Sequence, residues 1–243
     1  MQTYDMKVVN HREIAECTYE ITLQTDVFFP AEPGQFVHIL VDPPHQLRRP
    51  LSLASSSGRE ITVVYKTFGE GTRTLANKKR GETVNVLGPL GNGFTLPEQK
   101  KVMLVGGGVG VPPLLWLAKE LHKNGKKVSA VLGFKSVNQV FYRREMEEYA
   151  EVTVVTDDGS SGEKGLVTKW LDPEADVYYA CGPNPMLKAL EAQLAIPGYN
   201  SMEERMGCAI GACFACTVET TDGGYVNVCK DGPVFPKGRV KLP

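Results

Sequence analysis

Cys208, Cys213, Cys216 and Cys229 place four thiols in one short stretch, with the spacing C-x4-C-x2-C-x12-C. No other feature limits the fold of this chain as strongly. Three sulfurs on one tight loop wrap one side of an inorganic centre, and a fourth from a neighbouring strand closes the other. The first three follow the plant-type [2Fe–2S] arrangement. The loop Gly207–Cys216 consists mostly of small residues, which lets backbone N–H groups reach the sulfurs. A four-cysteine zinc site usually shows two C-x2-C knuckles and here there is one, so zinc is the lesser alternative. The final gap of 12 residues is shorter than in simple plant-type ferredoxins. The centre therefore belongs to a larger assembly of domains.

The chain has 243 residues, which suits two domains and an appendage. Its formal net charge is −1, so it builds no basic face and nucleic acid is not an expected partner. No apolar run approaches the roughly 20 residues of a membrane span. The N-terminus carries no signal-peptide pattern, and a cytoplasmic location is expected. Outside the cluster group stand Cys17, read as packing within Glu16–Thr22, and Cys181.

Residues 1–97 read as strands and turns. β-rich runs at Tyr19–Leu23, Gln35–Val41, Ile61–Tyr65 and Thr83–Leu87 are punctuated by Pro33-Gly34, Pro43-Pro44, Gly58, Gly81 and Gly88-Pro89. This predicts a small antiparallel Greek-key barrel. Beyond Pro97 the pattern alternates. Strands are expected at Lys101–Gly108, Val128–Gly133, Glu151–Thr156 and Val177–Cys181. Helices are expected at Pro112–Asn124, Val137–Tyr149, around Val167–Leu171, and at Pro185–Leu194. Such alternation implies a parallel sheet. Residues 98–198 then form an α/β nucleotide domain. After Pro197-Gly198 the alternation stops. Residues 199–243 read as a small cluster module with a hairpin turning at Thr221-Asp222-Gly223, ordered by its metal centre.

Two further motifs carry cofactor chemistry. Arg49-Pro50-Leu51-Ser52 precedes Gly69-Glu70-Gly71-Thr72, a glycine turn that opens a short helix at Arg73–Lys78. The turn, with Gly71 and Thr72, offers N–H groups to a phosphate, and Arg49 adds a bidentate contact. Ser52 suits the isoalloxazine edge, and Val64-Tyr65-Lys66 suits the flavin wall. In the second motif, Gly106-Gly107-Gly108-Val109-Gly110 followed by Val111-Pro112-Pro113 links a strand to a helix. Gly107, Gly108 and Gly110 admit a pyrophosphate, although the pattern is not the G-x-G-x-x-G fingerprint. Cys181-Gly182-Pro183 ends the last strand of that sheet. Asp157-Asp158-Gly159-Ser160 suits ribose hydroxyls or a solvated turn. No acid follows the second strand at Phe134-Lys135-Ser136, so these residues leave NAD and NADP both open, as they leave FAD and FMN.

Nicotinamide moves two electrons as a hydride, and a [2Fe–2S] cluster moves one. A flavin does both, so it must lie between them. All segments are then assigned, and none remains for an organic substrate. The cluster is therefore expected to face another protein.

In this order, the Arg-x-x-Ser motif, the Gly-Thr turn, the GGG-x-G-x-x-P turn and Cys-Gly-Pro resemble the ferredoxin–NADP⁺ reductase superfamily. That resemblance implies FAD and places Cys181 at the hydride-transfer point as a catalytic residue. Over the whole length, including YKTFGEGT, VGGGVGVPPL, YYACGPNPML and MEERMGCAIGACFACTVE, the chain resembles the electron-transfer subunits of type 1B dihydroorotate dehydrogenase. The resemblance implies NAD⁺ as substrate and a separate FMN-containing catalytic subunit. It also implies a heterotetramer of two plus two chains in de novo pyrimidine synthesis. The small subunits of NADH-dependent ferredoxin:NADP⁺ oxidoreductase or of a sulfide dehydrogenase share the layout and are the alternative. Ala209 stands where that family commonly has glycine, and it is expected to be strained only if its φ is positive.

Overall fold

The computed structural model describes residues 2–41 and 47–242. The expected Pro43-Pro44 break lies outside the described residues. Six antiparallel strands close into a barrel: β1 (Gln2–Ala15), β2 (Thr18–Gln24), β3 (Phe36–Leu40), β4 (Arg49–Ser57), β5 (Glu60–Lys66) and β6 (Thr83–Leu90). Their order around the barrel is β1-β2-β5-β4-β3-β6. Closure removes exposed edges. Along β6, Val84, Val86 and Gly88 are buried while Asn85 and Leu87 between them are less so, the period-2 pattern of a half-buried strand. Met6, Ile21, Val37, Ile39, Leu53 and Val63 fill the interior.

β1 and β4 have no counterpart among the expected strands. In β1 only Tyr4, Met6 and Val8 are fully buried, and the remainder is polar or part-exposed. In β4 the run Ser55–Ser57 supplies no apolar alternation. Its pairing with β5 and the Ser56 hydroxyl donating to the Phe29 carbonyl at 3.2 Å hold it instead. The helix predicted at Arg73–Lys78 starts earlier, as α1 (Glu70–Ala76).

The second body is a seven-stranded sheet. It contains β7 (Lys101–Gly107), β8 (Lys127–Phe134), β9 (Glu151–Thr156), β10 (Glu163–Lys164) and β11 (Val177–Cys181). α2 (Val111–Lys123) buries Leu114, Leu117, Ala118 and Leu121 against it. The predicted helix Val137–Tyr149 does not form as one piece. A single 3-10 turn at Val137–Gln139 is followed by α3 (Arg143–Glu147). Between them Tyr142 has φ +58°, and its buried hydroxyl donates to Glu20 on β2. Arg12 holds the same carboxylate at 2.8 Å. Docking onto the barrel thus overrides local helix preference. The helix expected around Val167–Leu171 is likewise one 3-10 turn, Val167–Lys169. α4 (Asn184–Gln193) follows β11.

The tail is not set apart from this sheet. β12 (Gly198–Ser201) pairs in parallel with β11, and β15 (Val234–Pro236) pairs antiparallel with β12. The sheet order is β10-β9-β8-β7-β11-β12-β15. Between the two tail strands lie the cysteine loop, the hairpin β13 (Thr217–Glu219) and β14 (Tyr225–Asn227), and α5 (Val228–Asp231). Asn92, just beyond the barrel, ties this excursion down: its amide donates to the Gly232 carbonyl at 2.7 Å and its side chain to the Asp231 carbonyl at 3.0 Å. Cys17 is exposed in the β1–β2 turn at φ +54°, so it does not serve packing as expected.

Candidate redox site

The cysteine loop aims amides at its sulfurs. Cys208 Sγ accepts the N–H groups of Ile210 at 3.4 Å, Ala212 at 3.3 Å and Cys213 at 3.3 Å. Cys229 Sγ accepts that of Gly211 at 3.2 Å, and Cys216 Sγ that of Cys229 at 3.4 Å. Burial works against the Cys208 thiolate, yet these amides bring its pKa down to about 6. Burial, with Cys216 bonding to it, pushes Cys229 up to about 12. Cys213 acts on Cys208, and both Cys216 and Cys208 act on Cys229, so the sulfurs lie near one another, as the four thiolate ligands of a two-iron cluster must. Among the described residues, no three His, Cys, Asp or Glu side chains are grouped for a single ion. Cys216 and Cys229 are buried, and Cys213 is exposed. Ala209 is buried with φ +63°, so the condition for strain is met.

The residues expected to hold a flavin converge. Arg49, Pro50, Leu51, Ser52, Val64, Tyr65, Lys66 and Thr72 border one cleft of about 280 Å³. Gly71 lies behind it: a Cβ there would stand 2.6 Å from Arg49 Nε. Only glycine lets the guanidinium rest on that turn. Thr72 Oγ1 accepts the Phe68 N–H at 3.0 Å and fixes the turn. Tyr65 keeps its hydroxyl away from the cleft, 2.8 Å from His11 Nε2. His11 Nδ1 lies 2.7 Å from the Lys78 carbonyl, so Nδ1 carries the proton and the Tyr65 hydroxyl donates to Nε2. The ammonium of Lys66 donates to Gln139 Oε1 at 2.8 Å, bridging to the second body. A cleft lined by Pro50, Leu51 and Val64 from the strands, with Arg49 resting on a glycine turn, fits a flavin and its phosphate.

The nicotinamide turn adjoins this cleft through Val109. A Cβ on Gly110 would stand 2.1 Å from the Cys181 carbonyl oxygen, and one on Gly107 2.9 Å from Pro183 Cδ. Among the described residues nothing lies within 4 Å of the same point on Gly108, which leaves an open side for a pyrophosphate. Cys181 is buried, which raises its thiol to about 12, with Glu203 adding to the rise. It stays protonated at neutral pH, so any role it has is that of a neutral neighbour rather than a thiolate.

Sequence reasoning did not find Phe36, Phe68, Met202, Glu203 and Pro233, which also border the cleft. Glu203 sits just after β12, and burial raises its carboxyl pKa. Nothing local marks it, because its position depends on β12 pairing with β11. A second, wider cavity of about 560 Å³ continues past Arg49, Asn184, Glu203 and Arg205.

Comparison with known proteins agrees with this geometry. The family described as "Iron-sulfur cluster binding domain of dihydroorotate dehydrogenase B" matches residues 203–241, and "Oxidoreductase NAD-binding domain" matches residues 104–192. The dihydroorotate dehydrogenase B (NAD(+)) electron transfer subunit of Lysinibacillus sphaericus (strain C3-41) is 49% identical, covering 98% of each chain. That of Geobacillus kaustophilus (strain HTA426) is 50% identical, again covering 98% of each. A solved structure of an NADH-dependent reduced ferredoxin-NADP oxidoreductase, studied for flavin-based electron bifurcation, superposes with a TM-score of 0.90 at 32% identity. It covers 98% of this chain and 90% of that one. The barrel, the glycine turn against Cys181 and the paired cysteines thus occur in a chain that belongs to the family of dihydroorotate dehydrogenase B (NAD(+)) electron transfer subunits.

Proposed function

We propose that this chain carries electrons from an FMN-containing dihydroorotate dehydrogenase catalytic subunit through [2Fe–2S] and FAD to NAD⁺, in de novo UMP synthesis. One observation carries the reading. A single cleft is bordered by Arg49–Ser52 from the barrel, by Val109 from the glycine turn, and by Met202 and Pro233 from the cysteine-bearing tail. Residues 1–97 hold FAD, 98–198 hold NAD and 199–243 hold the cluster, and the three meet at that cleft.

A flavin bound there supplies the exchange between hydride transfer and single-electron transfer. The protein supplies placement. Arg49 and the Gly71–Thr72 turn take the flavin phosphate, while Ser52, Leu51 and Val64 orient the ring. Gly107, Gly108 and Gly110 take the dinucleotide pyrophosphate. Cys181, neutral and packed on Gly110, sets how closely a nicotinamide approaches. Cys216 and Cys229 share a buried apolar cluster with Phe36 and Met202, both of which border the cleft. This favours electron passage inward over leakage to water.

Cys208 is part-exposed and Cys213 is exposed. On the same loop Ile210 and Phe214 are 45% and 68% exposed. An apolar rim of this kind supports docking of the catalytic subunit over the cysteine loop, and we assign two copies of each subunit to a cytoplasmic heterotetramer. Among the described residues no helix is long and apolar enough to cross a membrane.

Co-expression with the adjoining catalytic subunit tests this. Co-purification at a one-to-one ratio, with dihydroorotate:NAD⁺ activity that neither subunit shows alone, is the expected result. Capture of a large flavoprotein without dihydroorotate activity would overturn it in favour of a ferredoxin:NADP⁺ oxidoreductase or sulfide dehydrogenase.

A further inference from the structure

Apolar packing crosses the boundary between the two bodies. Ala54 and Val64 of the barrel belong to the same apolar cluster as Val111, Leu115, Phe141 and Tyr142, and Trp116 of α2 belongs to the barrel's cluster. Apolar contact has no direction, so it holds the bodies together without fixing the angle at which they meet. Hydrogen bonds are directional, and residues 137–142 supply them. The Asn138 carbonyl accepts the Glu16 N–H at 2.9 Å. Gln139 Oε1 accepts the Lys66 ammonium at 2.8 Å. The Tyr142 hydroxyl donates to Glu20. Burial, with the bond to Glu20, raises the pKa of that hydroxyl and keeps it a donor.

Both sides of these bonds adjoin the cofactor surfaces. Arg12, Glu20 and Val64 stand opposite one another on β1, β2 and β5, and Val64 and Lys66 border the flavin cleft. On the other side, residues 137–142 follow β8, whose Gly133 is opposite Gly107 of the glycine turn. Val109 of that turn enters the same cleft. The bonded segment therefore ties the flavin wall to the strand beside the nicotinamide turn.

Two features of this tie oppose stability. Tyr142 holds φ +58°, where a non-glycine residue is strained. Glu20 is 8% exposed, and burying its carboxylate is unfavourable even with Arg12 at 2.8 Å. Apolar side chains of similar volume would hold the bodies at least as firmly. What the polar set adds is a single geometry.

We propose that Tyr142 and Glu20, with Gln139 and Lys66, are positioning residues that set the distance between the nicotinamide turn and the flavin wall, and through it the rate of hydride transfer. This inference rests on the reading of the Arg49–Ser52 cleft as the flavin site and of Gly107–Gly110 as the nicotinamide turn.

Anaerobic mixing of the full flavin- and cluster-loaded chain with saturating NADH tests it. The hydride of NADH reduces the oxidised flavin to its anionic two-electron form and leaves NAD⁺. Glu20→Leu with Tyr142→Phe is expected to bleach about tenfold more slowly than the unaltered chain. It is also expected to lose most of the long-wavelength charge-transfer absorbance formed before bleaching. Its calorimetric affinity for ADP-ribose should stay within about twofold, because that ligand touches the second body alone. Its melting temperature should equal or exceed that of the unaltered chain. Gln139→Ala leaves Glu20 untouched, is expected to slow bleaching several-fold, and serves if the double variant does not fold. Unchanged bleaching in the folded variants overturns the proposal. So does slower bleaching matched by an equal loss of ADP-ribose affinity or by a lower melting temperature, which marks a structural role alone. If the unaltered chain neither binds ADP-ribose nor is bleached by NADH, the cofactor reading falls, and this inference with it.

Discussion

Gly110 and Cys181 touch backbone to backbone: a Cβ on Gly110 would lie 2.1 Å from the Cys181 carbonyl oxygen and 2.4 Å from its carbonyl carbon. These atoms belong to the turn after β7 and the end of β11, which pair in the sheet. Gly110→Ala must therefore push the nicotinamide turn off the sheet. A loss of roughly 2–3 kcal/mol of stability is expected, together with weaker ADP-ribose binding. Thermal unfolding and calorimetry measure both, and an alanine variant that binds normally would contradict the close packing.

Ala209 predicts the opposite sign. A non-glycine residue at φ +63° carries strain of order 1 kcal/mol that glycine does not. Ala209→Gly should slow cluster loss on heating, followed by visible absorbance, and raise the melting temperature. A faster loss would mean that the buried methyl contributes more by packing than it costs in strain.

Removing a cluster ligand should separate the two outputs. Cys216→Ser is expected to lose the iron and sulfide while keeping NADH oxidation with artificial acceptors, because Arg49–Ser52 and Gly107–Gly110 lie in other segments. Parallel loss of both activities would contradict the modular assignment, and so would retention of dihydroorotate-linked reduction.

Arg49→Ala removes the guanidinium that rests on Gly71. FAD affinity is expected to fall by about tenfold or more, the worth of a charge-assisted contact to phosphate. Flavin content after gel filtration reports it, and an unchanged content would take Arg49 out of the site.

His38 introduces pH dependence in the barrel. It is fully buried, and neither ring nitrogen has a hydrogen-bond partner among the described residues. Burial, with a smaller push from Arg48, lowers its pKa to about 4. The unfolded chain takes up the proton near pH 6.5, before the folded chain does. The neutral ring's contribution is therefore complete above 6.5 and is lost as pH falls from 6.5 through 4, amounting to about 3 kcal/mol. His38→Phe should flatten the stability difference between pH 7 and pH 4.5 by most of that amount. Equal slopes in denaturant titrations of both proteins would reject this.

Much of the site was legible because its chemistry is local. Three of the four cysteines lie on one loop and the fourth stands in α5, just past the strand expected to carry it, so spacing alone was enough to expect the centre. Arg49–Ser52, Gly71-Thr72 and Gly107–Gly110 are short turns whose residue types answer directly to phosphate and flavin. Val177–Cys181 was read to the residue as an apolar run of a parallel sheet, and Glu151–Thr156 from its β-branched Val and Thr.

The remainder depended on contacts between distant segments. Tyr142 leaves the helical path because its hydroxyl reaches Glu20 on the barrel, and no local pattern encodes that partner. β12 and β15 extend the nucleotide sheet because the edge of β11 needs a neighbour, which turns an apparent appendage into part of the second domain. Glu203 and Pro233 arrive at the flavin cleft by that route, and Asp158 reaches the end of β8 from the loop after β9. The sequence by itself narrowed the cofactors to a [2Fe–2S] cluster, a flavin and a nicotinamide dinucleotide, since each is expected from residues a few positions apart. Only the tertiary structure decided that Arg49–Ser52, Val109 and Pro233 border one cleft and that Cys216 and Cys229 are buried. Strand pairing and burial set those relations between segments up to two hundred residues apart along the chain.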